Sequence, residues 1–311
     1  MMEHIGNAMK KLSSNQKFME RQREIQNRLL KDERIQGFLE ENKEIITDEM
    51  IEKAMPKFYE FTKQCQNCSD CIDLQSCVNL MQGYVPHLFL SGLTIDLKYE
   101  RCKTKKIADE QARLQKLVNS VHIPKDILKA SFGQVDLQDE GRLQSILESK
   151  NFASNYDGKT YRKGLYLYGK FGVGKTYLFG AIANALAQKE IASMIMFYPE
   201  FIRELKGSFA DDSINQKLEA VKKVQVLMID DIGSESMSSW SRDEVLGPIL
   251  QYRMLENLPT FFTSNFSLKE LEDHFTYSQR GEEEKVKAAR IMERIRYLSE
   301  PILVQGTNRR N

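Results

Sequence analysis

Eight consecutive residues, Gly169-Lys170-Phe171-Gly172-Val173-Gly174-Lys175-Thr176, fit the phosphate-loop pattern in full, with two glycines five apart followed by Lys and Thr. The glycines, Gly169, Gly172 and Gly174, let the backbone turn so that its N–H groups converge on one anion. Lys175 adds a point charge for the β- and γ-phosphates, and the Thr176 hydroxyl is a ligand for Mg²⁺. Such a loop works between a buried strand and a helix whose positive end faces the phosphates. Both flanks are present. Gly164-Leu165-Tyr166-Leu167-Tyr168 is an apolar run of strand type, and Ala181, Ile182, Ala183, Ala185, Leu186 and Ala187 form a strongly helical one. The chain is therefore expected to bind a nucleoside triphosphate with Mg²⁺.

A second apolar run, Val226-Leu227-Met228-Ile229, delivers Asp230 and Asp231 at its C-terminal end, where open α/β sheets bind ligands. In isolation two carboxylates there would only cap a turn. Beside a phosphate loop they suit phosphoryl transfer, with Asp230 holding Mg²⁺ directly or through water and Asp231 orienting the attacking water. A third run, Thr260-Phe261-Phe262-Thr263, ends in Ser264-Asn265, whose amide is placed to reach the γ-phosphate or that water unless it merely serves the turn. Arg290 and Arg294 lie four apart on one helical face, a solvated basic surface in the plainest reading. Lys206 and Phe209, three apart, pair a cation with a ring that could grip a phosphate and stack a base; the alternative is an amphipathic helix that buries Phe209. Trp240, the one tryptophan, stands between Ser239 and Ser241 and is expected to be exposed.

All five cysteines, Cys65, Cys68, Cys71, Cys77 and Cys102, fall in one short region. Cys68-x₂-Cys71 has the spacing of a metal knuckle, and Cys77 and Cys102 complete a tetrahedral thiolate site for Zn²⁺. Cys65 is then left free. A register that begins at Cys65 is the alternative, and buried reduced thiols are the plainest one. Four thiolates leave no open position, so such a zinc would be structural, stapling a unit too small to bury a sufficient core.

The elements that must carry these residues follow from the rest of the chain. At 311 residues, 41% hydrophobic and 29% charged, it suits two cores, and its net charge of +1 makes no global case for binding nucleic acid. No apolar stretch approaches the roughly 18 residues of a membrane span, and the start lacks the build of a signal peptide, so a cytoplasmic protein without membrane contact is expected. Residues 8–63 carry apolar residues at helical spacing and are expected to form two or three helices broken near Pro56. A hairpin is expected around Ser91-Gly92, then an exposed helical linker running to Pro124. Strands are expected at 164–168, 194–198, 224–229, 260–264 and 302–305, with helices between them, which means a parallel α/β sheet.

The order of these motifs resembles the AAA+ ATPases and, within them, the DnaI/DnaC group of bacterial replicative-helicase loaders. The resemblance rests on Tyr166-Leu167-Tyr168 with the phosphate loop, on Met228-Ile229-Asp230-Asp231-Ile232-Gly233 and on Phe262-Thr263-Ser264-Asn265-Phe266. Phe275-Thr276-Tyr277-Ser278-Gln279-Arg280-Gly281 points to the DnaI proteins of Gram-positive bacteria. The resemblance extends over the whole chain. It implies an α/β AAA+ P-loop ATPase domain with a parallel sheet over residues 131–311, a linker over 106–130, and a small helical zinc-binding domain over 1–105 that meets the partner. It makes Asp230 and Asp231 the Walker B pair, Asn265 sensor 1, and Arg294 the arginine finger inserted into a neighbouring subunit. Lys206, Phe209, Ser238 and Trp240 match the single-stranded DNA contacts, and Arg309 and Arg310 lie near the sensor 2 arginine on a tail expected to fray. Some members carry a histidine near the Gly-Tyr-x-Pro turn, so His87 is an alternative to Cys77, although this chain has Val85 in the turn. The implied cofactors are ATP, Mg²⁺ and Zn²⁺. The implied partners are the hexameric replicative DNA helicase, single-stranded DNA, other primosome or initiator proteins, and further copies of the chain in an ATP-dependent oligomer. The implied activity is a weak, partner-stimulated ATPase that loads the helicase onto single-stranded DNA during replication initiation or restart. A helper ATPase of a transposition system and a nucleotide-binding adaptor without significant turnover are the competing readings.

Overall fold

The computed structural model describes residues 16–65, 71, 73–136, 139–207, 213–235, 238–277 and 284–309. The chain divides into two units, residues 1–111 and 112–311.

The first unit is built on three helices, α1 (Gln16–Leu30), α2 (Glu33–Glu41) and α3 (Asp48–Thr62). Asp32 caps α2 by accepting the Arg34 N–H, and Thr47 caps α3 by accepting the Met50 N–H. Leu29, Ile35, Met50, Ala54, Phe58 and Phe61 meet in one core, which Ile95 of the following hairpin closes. Pro56 does not break the helix as expected; it lies inside α3, whose second half is held by the buried Phe58 and Phe61. That burial offsets the lost hydrogen bond and ring clash of an internal proline, about 3 kcal/mol. Strands β1 (Tyr84–Ser91) and β2 (Thr94–Arg101) pair antiparallel, with Ser91 opposite Thr94 and Gly92 at a positive φ of 60° in the turn. The Tyr99 hydroxyl donates to Glu60 and accepts from Gln64, fastening the hairpin to α3 and the residues after it.

Helix α4 (Lys103–Gln115) runs across the division between the units. The second unit then begins with β3 (Val118–Val121), α5 (Glu140–Asn155), β4 (Gly164–Tyr168), α6 (Lys175–Ala187) and β5 (Ser193–Phe197). It continues with α7 (Tyr198–Gly207), α8 (Ser213–Lys223), β6 (Val226–Asp230), α9 (Gly247–Leu255) and β7 (Thr260–Ser264). Helices α10 (Leu268–Thr276) and α11 (Lys285–Leu298) lead to β8 (Ser299–Leu303). The sheet is parallel throughout, in the order β3-β5-β6-β7-β4-β8. The stretch 106–130, expected as a linker, therefore holds part of α4, the edge strand β3 and a 3₁₀ turn at Ile127–Lys129.

Both faces of the sheet are covered, which is why its strands read as continuous apolar runs rather than as alternating ones. Leu227, Ile229 and Phe262 face a core completed by Ile249, Leu250, Leu271 and Ile295. Val226, Met228 and Phe261 face the other, with Leu178, Phe179, Ile182 and Leu186 of α6. At the N-terminal ends of β6 and β7 the fully buried Arg253 donates to the carbonyls of Lys222, Val224 and Pro259 and to the Thr260 hydroxyl. Burial pulls its pKa down to about 9. These bonds fix one edge of the sheet and leave the opposite edge, at the C-terminal strand ends, for the ligand. Among the described residues no helix is long and apolar enough to cross a membrane.

Candidate nucleotide site

Strand β4 lies between β7 and β8, so the loop that leaves it faces the ends of β6 and β7. Gly172 and Gly174 take positive φ values of 78° and 94°, which side chains rarely adopt, and α6 starts directly at Lys175. The loop borders a cavity of about 530 Å³ lined also by Val135, Arg142, Tyr177 and Arg309, within the size range of small-molecule sites. The cavity brings together Gly172, Gly174, Lys175, Thr176, Asp230, Asp231 and Asn265, seven of the residues singled out in the sequence.

Their side chains are tied into one network. Lys175 Nζ donates to the Gly169 and Lys170 carbonyls at 2.7 and 2.9 Å and to Asn265 Oδ1 at 2.9 Å. Asn265 Nδ2 in turn donates to Asp231 Oδ1 at 2.9 Å, and the Ser234 hydroxyl donates to Asp231 Oδ2 at 2.8 Å. Asn265 thus touches both the loop lysine and the second carboxylate. Thr176 Oγ1 donates to Asp230 Oδ1 at 2.9 Å, next to the Thr263 hydroxyl, which donates to the same oxygen at 2.7 Å. Thr263 also accepts the Asp231 N–H at 2.8 Å. Asp231 has a φ of 60°, a left-handed conformation that aspartate tolerates better than most residues. Successive strand side chains point to opposite faces; this twist lets both carboxylates line the same cavity.

Asp230 is 4% exposed, and its burial lifts its carboxyl to about 6, with the neighbouring Asp231 charge adding to the rise against the opposing pull of Thr263, Thr176 and Lys175. Between the unfolded value near 3.8 and that folded value, the native chain keeps a proton that the unfolded chain has lost. Asp230 therefore subtracts stability as pH rises through this window and contributes no difference below it. A magnesium ligand must shed that proton. The affinity for Mg²⁺-nucleotide is expected to climb as pH rises through about 6 and then level off, by up to about tenfold per unit. Calorimetry across this range, corrected for protonation of the nucleotide, checks it; Asp230→Asn should remove the slope, and an equal slope in that variant would refute the assignment.

The residues fit a magnesium-bound triphosphate. The loop glycines form a cradle that side chains would fill, since a Cβ on Gly174 would lie 2.7 Å from Arg142 Nη2, and the cavity is lined by the cations Arg142, Lys175 and Arg309 together with Asp136, Asp230 and Asp231. Arg142 had no local sequence signal, because it reaches the cavity through tertiary packing, whereas Arg309, noted in the sequence near the sensor 2 arginine, does line the cavity. The chain end is not frayed as expected as far as Arg309. Its Val304 and Gln305 N–H groups donate to the carbonyls of Tyr168 and Gly141, and the Arg309 N–H donates to Gly172 at 3.0 Å. The Arg309 side chain donates to Asp136 at 2.7 Å, while Arg310 lies outside the described residues.

Arg294 is not part of this cavity. It sits on α11, donates to the Gly247 carbonyl at 2.8 Å, and shares a surface groove with Arg290, Asp243 and Lys287. Lys206 lies in the last turn of α7, and Phe209 lies outside the described residues. Burial raises the Glu235 carboxyl to about 7, a rise that the charge of Lys206 opposes. The Ser238 hydroxyl accepts the Ser241 N–H at 3.1 Å, capping the turn that follows. Trp240 is not fully exposed as expected; it is partly buried and packs on the core, because its flanking serines are engaged rather than marking a solvent face, Ser239 donating to Glu284 and the Ser241 N–H donating to Ser238.

In the first unit, the Gly83 N–H donates to Cys77 Sγ and the Lys105 N–H to Cys102 Sγ, each at 3.3 Å. Burial raises the Cys71 thiol, and the charges of Cys77, Cys65 and Cys102 raise it further. Cys65, expected to be left free of the metal, is among the groups whose charge acts on Cys71, and Cys68 lies outside the described residues. Among the described residues no group of three or more metal-ligating side chains is assembled.

Comparison with known proteins agrees with both units. The family of the primosomal protein DnaI N-terminus matches residues 2–99, and that of the bacterial DnaA ATPase domain matches residues 145–273. The replicative helicase loader DnaI of Bacillus subtilis (strain 168) is 50% identical over 310 residues, covering 100% of both chains. A crystal structure of DnaI superimposes with a TM-score of 0.57 at 55% identity, over 64% of this chain and 100% of that one. The chain belongs to the DnaI family of replicative helicase loaders.

Proposed function

We propose that this chain delivers the hexameric replicative DNA helicase onto single-stranded DNA in replication initiation or restart, with ATP as its switch. The observation that carries this reading is the unbroken path Lys175–Asn265–Asp231, which ties the phosphate loop to the second carboxylate. It sits in a chain half identical, end to end, to a replicative helicase loader. The loop N–H groups and Lys175 bind the phosphates, and Thr176 and Asp230 hold Mg²⁺, which supplies charge neutralisation at the β/γ oxygens when bound. Asp231 orients the attacking water, and Asn265 reports the γ-phosphate to it. Arg294, outside its own chain's cavity, acts as the finger for an adjacent subunit in an ATP-dependent oligomer. Lys206, Phe209, Ser238 and Trp240 contact single-stranded DNA. The first unit binds the helicase, a long N-terminal region that a transposition helper would lack. Other primosome or initiator proteins meet the resulting complex.

The full-length protein, mixed with the replicative helicase of its source cell and circular single-stranded DNA, should raise the helicase bound to DNA at least several-fold with ATP over no nucleotide. Helicase that reaches DNA equally well without the protein would refute the loader reading. We further propose that Zn²⁺ is held by Cys71, Cys77 and Cys102 with Cys68; the sulfur-directed N–H groups of Gly83 and Lys105 support this. One zinc per chain is expected by elemental analysis. Cys68→Ser should lose it while Cys65→Ser retains it, and the reverse pattern would shift the register to Cys65.

A further inference from the structure

Three cations line the nucleotide cavity, Lys175, Arg309 and Arg142. Lys175 is satisfied by two carbonyls and Asn265, and Arg309 by Asp136. Arg142 differs from both. It is 3% exposed, yet its Nε has no hydrogen-bond partner. Its guanidinium is packed on Gly174, within reach of the loop. Of the two carboxylates near it, Asp136 is 2.7 Å from Arg309 and accepts from it, while Asp139 lies 3.7 Å from Arg309 and its Oδ2 has no hydrogen-bond partner. Withdrawing a guanidinium from water is expensive, and the charge of Arg309 beside it raises that cost while Asp139 and Asp136 offset part of it. The tail is held on the loop by the Arg309 N–H, so Asp136 stays occupied and Arg142 stays available.

The position of Arg142 along the cavity says which anion it would take. The γ-phosphate end is marked by Lys175, Asn265 and Asp231, which bond to one another. The charged and phenolic groups that Arg142 feels are Arg309, Asp139, Asp136 and Tyr177, none of them in that network. We propose that Arg142 is a phosphate ligand for the α/β part of the nucleotide, gripping the diphosphate that ATP and ADP share. This rests on the reading of the cavity as a nucleotide site.

Titration calorimetry of the full-length protein with Mg²⁺ and either ATP or ADP tests it. Arg142→Gln should weaken both nucleotides by about tenfold or more and to a similar degree, the usual scale for a hydrogen bond to a charged group. Without nucleotide its melting temperature should equal or exceed that of the wild type, since a buried guanidinium with no hydrogen bond at Nε is gone; a purely structural arginine would give a lower melting temperature and unchanged affinity. ADP affinity within twofold of wild type, or a loss confined to ATP, would overturn the assignment. Wild-type protein that binds neither nucleotide would instead remove the nucleotide reading, and this inference with it. Should Arg142→Gln not fold, the Nε–H resonance of Arg142 in the wild type, assigned by its disappearance in Arg142→Lys, should move on addition of ADP; a stationary signal overturns the proposal.

Discussion

Lys175→Ala is expected to lower the affinity for Mg²⁺-ATP by about a hundredfold or more, the scale of a lost charge-assisted contact with phosphate. The residue is nearly buried, at 8% exposure, and its ammonium group already sits among three oxygen acceptors. Removal strips the cavity of its most directly placed charge and leaves the Gly169 and Lys170 carbonyls and the Asn265 amide oxygen short of a donor. Asn265 then loses the anchor that aims its other end at Asp231, so residual binding should no longer support turnover. Arginine is a poor substitute, because a planar fork cannot enter the space of a single ammonium group. Equilibrium titration with a fluorescent ATP analogue would measure the loss. Affinity within tenfold of wild type would show that the loop is not the principal phosphate site.

Asp231→Asn is expected to separate binding from chemistry. ATP hydrolysis in the presence of helicase and DNA should fall about a hundredfold or more, the range lost when a group that positions or deprotonates the nucleophile is removed. Nucleotide affinity should change little, since Asp231 is the more exposed of the pair while Asp230 holds the Thr176 hydroxyl. Asparagine keeps the side-chain shape, and its oxygen can still accept from Asn265 or Ser234. Single-turnover rates with labelled ATP are the appropriate measurement. Rates equal to wild type would demote Asp231 and favour an adaptor in which nucleotide serves only as ballast for the fold.

Much of the site was legible in the chain because its parts are contiguous. The loop, the aspartate pair and Asn265 each follow an apolar strand, and a parallel sheet buried on both faces writes such strands as unbroken hydrophobic runs. What could not be read depended on packing between distant segments. Arg142 is one arginine in an ordinary helix until Gly174 is laid against it, and Arg309 is one of a basic pair near the chain end until it meets Asp136. Thr263 gave no sign that its hydroxyl would serve both aspartates. β3 was missed because four residues, Val118–Val121, two of them polar, carry too little pattern. Pro56 and Trp240 misled for one reason: a local propensity was outweighed by a core that their neighbours were already committed to.

The left-handed backbone at Asp231 has a consequence for anyone who randomises that codon. Valine, isoleucine and threonine branch at Cβ and fit this geometry badly, with a penalty of about 1–3 kcal/mol before any chemistry is considered. A saturation screen at this position would therefore score conformational intolerance and catalytic incompetence on one axis, and only replacements that share aspartate's ease in that geometry, asparagine and glycine, would let the two be told apart.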